Sequence, residues 1–188
     1  MAKTLITLFL FPFFSSFAAT KSYDFAKTVS PSSHGLKKEK LTHLHFYFQD
    51  IFTGKAPTAT KVAQAPDTEN STIVFSQVYV MDNPLTVGPD IKSKSIERAQ
   101  GIFASADKNE VGLLMVYNFA FTKGKFNGST LSILGRNPIL SAVRETSVVG
   151  SSGVFRFAQG YAQARNHSFD PKTWNAIVEY NVYVFHYD

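Results

Sequence analysis

The stretch LHFYFQDIF, residues 44–52, alternates at the period of a β-strand. Leu44, Phe46, Phe48, Asp50 and Phe52 share one side, and His45, Tyr47 and Gln49 share the other. Such alternation marks a strand with one face on a core, and it leaves an aspartate pointing where the phenylalanines point. Working outward, further runs of strand length lie at 72–82, 97–106, 111–122, 128–135, 143–149, 154–165 and 174–187. The first run itself spans 41–52. Between the runs, Thr53-Gly54-Lys55-Ala56-Pro57 and Asp82-Asn83-Pro84 are expected to stop strands, because proline lacks an amide proton and biases the residue before it to extended geometry. Val149 to Val154, with two glycines free to take positive φ, reads as a tight hairpin.

No capped amphipathic helix stands out, so about eight antiparallel strands predict an all-β sandwich or closed barrel. In 111–121 the odd positions Val111, Leu113, Met115, Tyr117, Phe119 and Phe121 are apolar, and so are Leu114, Val116 and Ala120 among the even ones. A strand apolar on both faces needs cover on both, which in a helix-free barrel comes from another copy of the chain. The expectation is a homo-oligomer.

With 188 residues, 44% hydrophobic and 18% charged, the chain can build one sizeable core. Its 18 Phe and 8 Tyr suit strands and aromatic-lined cavities. Residues 1–18 have a lysine near the start, an apolar run from Leu5 to about Phe14 and small residues before Ala18, the layout of a secretory signal peptide. Residues 19–40 read as a flexible leader and 41–188 as the folded domain. Sequons at Asn70, Asn127 and Asn166 agree with export and predict N-glycosylation in the extracellular space. The chain has no cysteine, which excludes disulfides, thiol catalysis and cysteine-ligated metal. The net charge of +5 is scattered, so neither nucleic acid nor, after signal cleavage, a membrane is expected as partner.

His43 and His45 have metal-site spacing but lack a carboxylate on their face, so they read as surface or interface histidines; His186 is too isolated to count, and no metal is expected. The charged residues set in apolar runs are Asp50, Asp82, Arg98 and Arg144. A carboxylate facing an apolar cavity has its pKa pushed up and can donate or accept a proton near neutral pH. An arginine in that cavity can hold a phenolic oxygen.

Residues 44–51, Asp82-Asn83-Pro84-Leu85-Thr86, Arg98-Ala99-Gln100-Gly101, Asn127 to Asn137, Val143-Arg144-Glu145, Val148 to Gly153 and Phe155 to Ala162 occur in an order that resembles the plant dirigent proteins. The resemblance implies an eight-stranded antiparallel barrel, trimeric, secreted into the apoplast and glycosylated, with no cofactor of its own. It implies a cavity for phenolic intermediates in which Asp50 acts as the acid on a quinone methide and Arg144 is the pocket arginine, with Phe48, Asp82, Phe103 and Asn137 lining the substrate pocket. The function implied first is stereoselective coupling of monolignol phenoxy radicals in lignan biosynthesis, the radicals being made by an external laccase or peroxidase. The chain departs from lignan-forming members at Asn137, where they carry a second aspartate, and at Phe103 and Ser105, where they carry tyrosines. The dirigent-like subgroup that includes pterocarpan synthases offers an alternative, a hydro-lyase and cyclase acting on a 2′-hydroxyisoflavan-4-ol with a single acid. A barrel that only binds a phenolic is the third possibility.

Overall fold

The computed structural model describes residues 25–66, 68 and 73–187, so the expected signal peptide and the Asn70 sequon lie outside the described residues. Pro31–Asp188 form one compact unit, and residues 25–30, which carry no helix or strand, fall outside it. The strands are β1 Glu39–Asp50, β2 Ala59–Ala63, β3 Val78–Thr86, β4 Ser95–Ser105, β5 Gly112–Phe121, β6 Ser129–Pro138, β7 Arg144–Ser152, β8 Gln159–Phe169 and β9 Ala176–Tyr187. Each pairs antiparallel in the order β1-β9-β8-β7-β6-β5-β4-β3-β2, and β1 also pairs with β3. That last pairing closes the sheet on itself.

β2 is not an extra stave of the barrel. β1 pairs with one end of β3 at Tyr47↔Thr86 and Phe48↔Leu85, and β2 pairs with the other end at Ala59↔Met81 and Thr60↔Val80. The two share one place in an eight-stranded closed barrel. Between them the chain makes an excursion over residues 51–58, pinched at its neck where Thr58 N donates to Ile51 O at 2.7 Å and Ile51 N to Thr58 Oγ1 at 3.0 Å. Asp50 is the last residue before the chain leaves the sheet.

Two sequence expectations are corrected. Asp82-Asn83-Pro84 does not stop a strand: β3 runs through it to Thr86. Asp82 N donates to Thr58 O on the β2 side, and alternation by two aims the ring nitrogen of Pro84 to that same side, between the β2 ladder and the β1 ladder. A proline is tolerated where the ladder asks for no donor. Nor is 149–154 a tight hairpin, since β7 continues to Ser152 and a 3₁₀ turn at Gly153–Phe155 leads the chain into β8. The start of β1 at Glu39 also falls just inside the stretch read as leader.

The alternation read in 44–52 holds, with Phe46 and Phe48 buried inside the barrel. There Phe46 meets Phe119 edge to face at 4.9 Å and stacks on Tyr180 at 5.9 Å. The end of the barrel where β5 finishes is filled by Phe121, Phe126 and Phe155 in mutual contact. The end where β1 finishes and β5 begins is open.

Candidate functional site

The open end leads into a cavity of about 580 Å³ lined by Asp50, Phe52, Tyr79, Phe103, Phe169 and Trp174 among others. Below it lies a chamber of about 50 Å³ lined by Phe48, Met115, Asn137, Arg144 and Tyr180. Asp50, Phe103, Leu113, Ile139 and Phe169 line both, so the two adjoin.

Asp50 occupies its place by register. Extending the Phe48↔Leu85 pairing by two residues sets Asp50 opposite Asn83, and Asn83 Nδ2 donates to Asp50 Oδ1 at 2.9 Å. Asn83 is fully buried, and its own Oδ1 has no hydrogen-bond partner among the described residues. Burial pushes the Asp50 carboxyl from an ordinary 3.8 up to about 7, against the smaller opposing effect of the Asn83 hydrogen bond. A carboxyl so placed is a proton donor and acceptor at neutral pH.

Arg144 opens β7 with its side chain buried, and its Nε donates to Asn137 Oδ1 at 3.1 Å. Burial lowers the guanidinium pKa, and the nearby Tyr180 and Tyr117 phenols oppose that shift. An arginine still stays charged. Its Nη1 is buried with no hydrogen-bond partner among the described residues, and Arg144 is one of the residues lining the small chamber. Tyr117 donates to Tyr180 Oη at 3.1 Å, and burial first of all raises both phenols above their ordinary value, so both remain neutral donors. The upper cavity has aromatic walls: Tyr79 stacks flat on Phe103 at 4.8 Å, and Phe52 meets Tyr79 edge-on at 5.5 Å.

Asp50, Arg144, Phe48, Phe103 and Asn137 are thus brought together. Asp82 is not, which corrects its reading as a pocket residue. Strand parity turns it outward from its neighbour Asn83, and it is exposed on the outer face in an ion pair with Arg98. His43 and His45 also lie outside, bonded to Asn181 at 2.8 Å and Glu179 at 2.7 Å on β9. Asn127 is exposed beside the 3₁₀ turn Gly124–Phe126, and the exposed Asn166 donates to Ile139 O at 3.2 Å. Sequence reasoning passed over Asn83, Tyr79, Tyr180 and Trp174. Reading Tyr79, Met81, Asn83 and Leu85 as one inward face of a continuous strand would have found the first two.

A family profile described as Dirigent-like protein matches residues 41–185. Dirigent protein 21 of Arabidopsis thaliana is 49% identical, over 97% of this chain and 99% of that protein. Pterocarpan synthase 1 of Glycyrrhiza echinata is 47% identical over the whole of both chains. The solved structure of the pterocarpan synthase dirigent protein GePTS1 is 49% identical and superimposes with a TM-score of 0.76, covering 88% of this chain and all of that one.

Proposed function

Since this chain belongs to the dirigent family, we propose that its barrel dehydrates and cyclises a hydroxylated isoflavanol in the manner of a pterocarpan synthase. The observation that carries this reading is that, among the described residues lining the two chambers, Asp50 is the one carboxyl. On a 2′-hydroxyisoflavan-4-ol that also carries a phenol on the fused ring para to C4, protonated Asp50 gives its proton to the C4 hydroxyl, the C4–O bond breaks and water leaves. The electron pair of that phenol fills the vacancy as its proton passes to water, giving a quinone methide. The 2′-phenol oxygen then bonds to C4, the quinone oxygen takes a proton back from water, and the 2′-phenol proton returns to the Asp50 carboxylate. One water is lost overall, and no oxidant is required. Arg144, with its unengaged Nη1, suits the quinone oxygen, where negative charge is shared. The aromatic walls hold the rings so that the phenol reaches one face of C4.

The relationship to Dirigent protein 21 supports a second reading, stereocontrol of monolignol radical coupling with radicals from an external laccase or peroxidase. A cavity of about 580 Å³ has room for two such phenols. In either case the reading includes action outside the cell as a secreted, glycosylated oligomer that packs through an apolar outer row. That row is Val80, Ile102, Val116 and Leu134, paired in register across β3, β4, β5 and β6 and 41–47% exposed.

The test is incubation of the protein with a 2′-hydroxyisoflavan-4-ol without oxidant, followed by chiral chromatography. One pterocarpan enantiomer is expected, and Asp50→Asn should slow its formation roughly a hundredfold. If nothing turns over, but coniferyl alcohol oxidised by laccase couples with an enantiomeric excess, the radical reading replaces this one. Racemic coupling and no dehydration would reject both.

A further inference from the structure

The turn joining β8 to β9 holds Trp174, the chain's single tryptophan, at a φ of 62°. In that left-handed region Cβ crowds the following carbonyl, a cost that glycine escapes and a bulky side chain does not. Strain of this kind persists where neighbouring contacts over-determine the backbone, and it collects at functional positions. The contacts here are several. Trp174 N donates to Asp170 O at 2.8 Å, and Asp170 N donates to Asn175 O at 3.0 Å. The Asp170 carboxylate accepts from Lys172 N at 2.9 Å and Thr173 Oγ1 at 2.7 Å. Asn175 Oδ1 takes Phe52 N at 2.8 Å and Thr53 N at 3.2 Å, which ties the turn to the 51–58 excursion.

Core packing does not offset this strain. The residue is left 36% exposed, meets Phe169 edge-on at 6.0 Å, and lines the large cavity. Phe169 ends β8 and Phe103 lies on β4, four places away around the eight-strand circuit, so the two face each other across the barrel. One wall is therefore Phe52, Tyr79 and Phe103, and the other is Phe169 and Trp174. A single phenol ring can cover one wall; two linked aromatic rings can cover both.

We propose that Trp174 is a specificity-determining residue at the cavity rim, stacking on the second ring of a two-ring phenol and favouring it over single-ring phenols. The inference rests on the reading that an aromatic substrate occupies the cavity. Its test uses 2′-hydroxyisoflavan, which lacks the 4-hydroxyl and so is not converted, and coniferyl alcohol without oxidase, each titrated by calorimetry. Trp174→Gly should bind the isoflavan about tenfold more weakly and coniferyl alcohol nearly as before, while Trp174→Phe keeps most of the affinity. Quenching of the one tryptophan's fluorescence should saturate with the isoflavan in the unaltered protein. The glycine variant should also melt at a higher temperature, because it relieves the backbone. Isoflavan affinity unchanged in Trp174→Gly, equal losses for both ligands, or a lower melting temperature would each overturn the assignment. If neither ligand binds the unaltered protein, the aromatic-substrate reading fails and this inference falls with it.

Discussion

At the scale of single residues, the chemistry rests on how a buried carboxyl holds its proton. The groups facing Asp50 are Asn83 on β3, which lowers its proton affinity, and Tyr180 on β9, whose phenol is itself raised by burial and so stays neutral. Arg144 on β7 and Tyr117 on β5 act on Tyr180. Acid catalysis needs the protonated form, so turnover should fall as pH rises through about 7. Replacing Asn83 by the similarly shaped leucine removes a donor that favours the carboxylate, and the fall should move to higher pH by about one pH unit. A pH profile of kcat/KM for Asn83→Leu checks this, and a profile moved to lower pH would contradict it. The same titration has a sign for stability. A carboxyl raised from 3.8 to about 7 contributes stability that is complete below the lower value and lost as pH rises through the upper. Asp50 was legible in the sequence because it broke an apolar face. Asn83 was not, since an amide before a proline reads equally well as turn chemistry.

At the scale of elements, close backbone approach decides which residues the strands tolerate. A Cβ on Gly101 of β4 would sit 2.3 Å from Val116 O and 2.5 Å from Tyr117 Cα on β5, both of them backbone atoms that cannot swing away. Gly101→Ala should therefore part β4 from β5 and cost several kcal/mol, about 3 or more. Thermal melting of the variant, or its failure to accumulate as folded protein, is the measurement. Ends of elements were harder to read than their centres. β2 escaped notice because five residues, four of them exposed, carry no alternating pattern. β3 was cut short at Asp82 because proline's missing donor looked like a stop, whereas the gap between two partner strands made that donor unnecessary.

At the scale of the whole molecule, the apolar outer row raises a question of assembly. Val116→Lys places a charge at the middle of the row, which one copy alone would leave in water. Light scattering should then find the unaltered chain as an oligomer and the variant as a monomer with its fold intact; equal masses would remove the row from any interface. The sequence by itself determined the strand content, the single inward aspartate of β1 and the family, because side-chain alternation and ordered motifs are properties of the chain read in order. The tertiary structure alone decided that Asp50 meets Asn83, that Arg144 is held by Asn137, that Asp82 lies outside, and that Trp174 stands at the mouth. Those facts depend on barrel closure, on the register of strands distant in sequence and on turn backbone angles. Each is fixed by the packing of the whole sheet, and no local pattern encodes it.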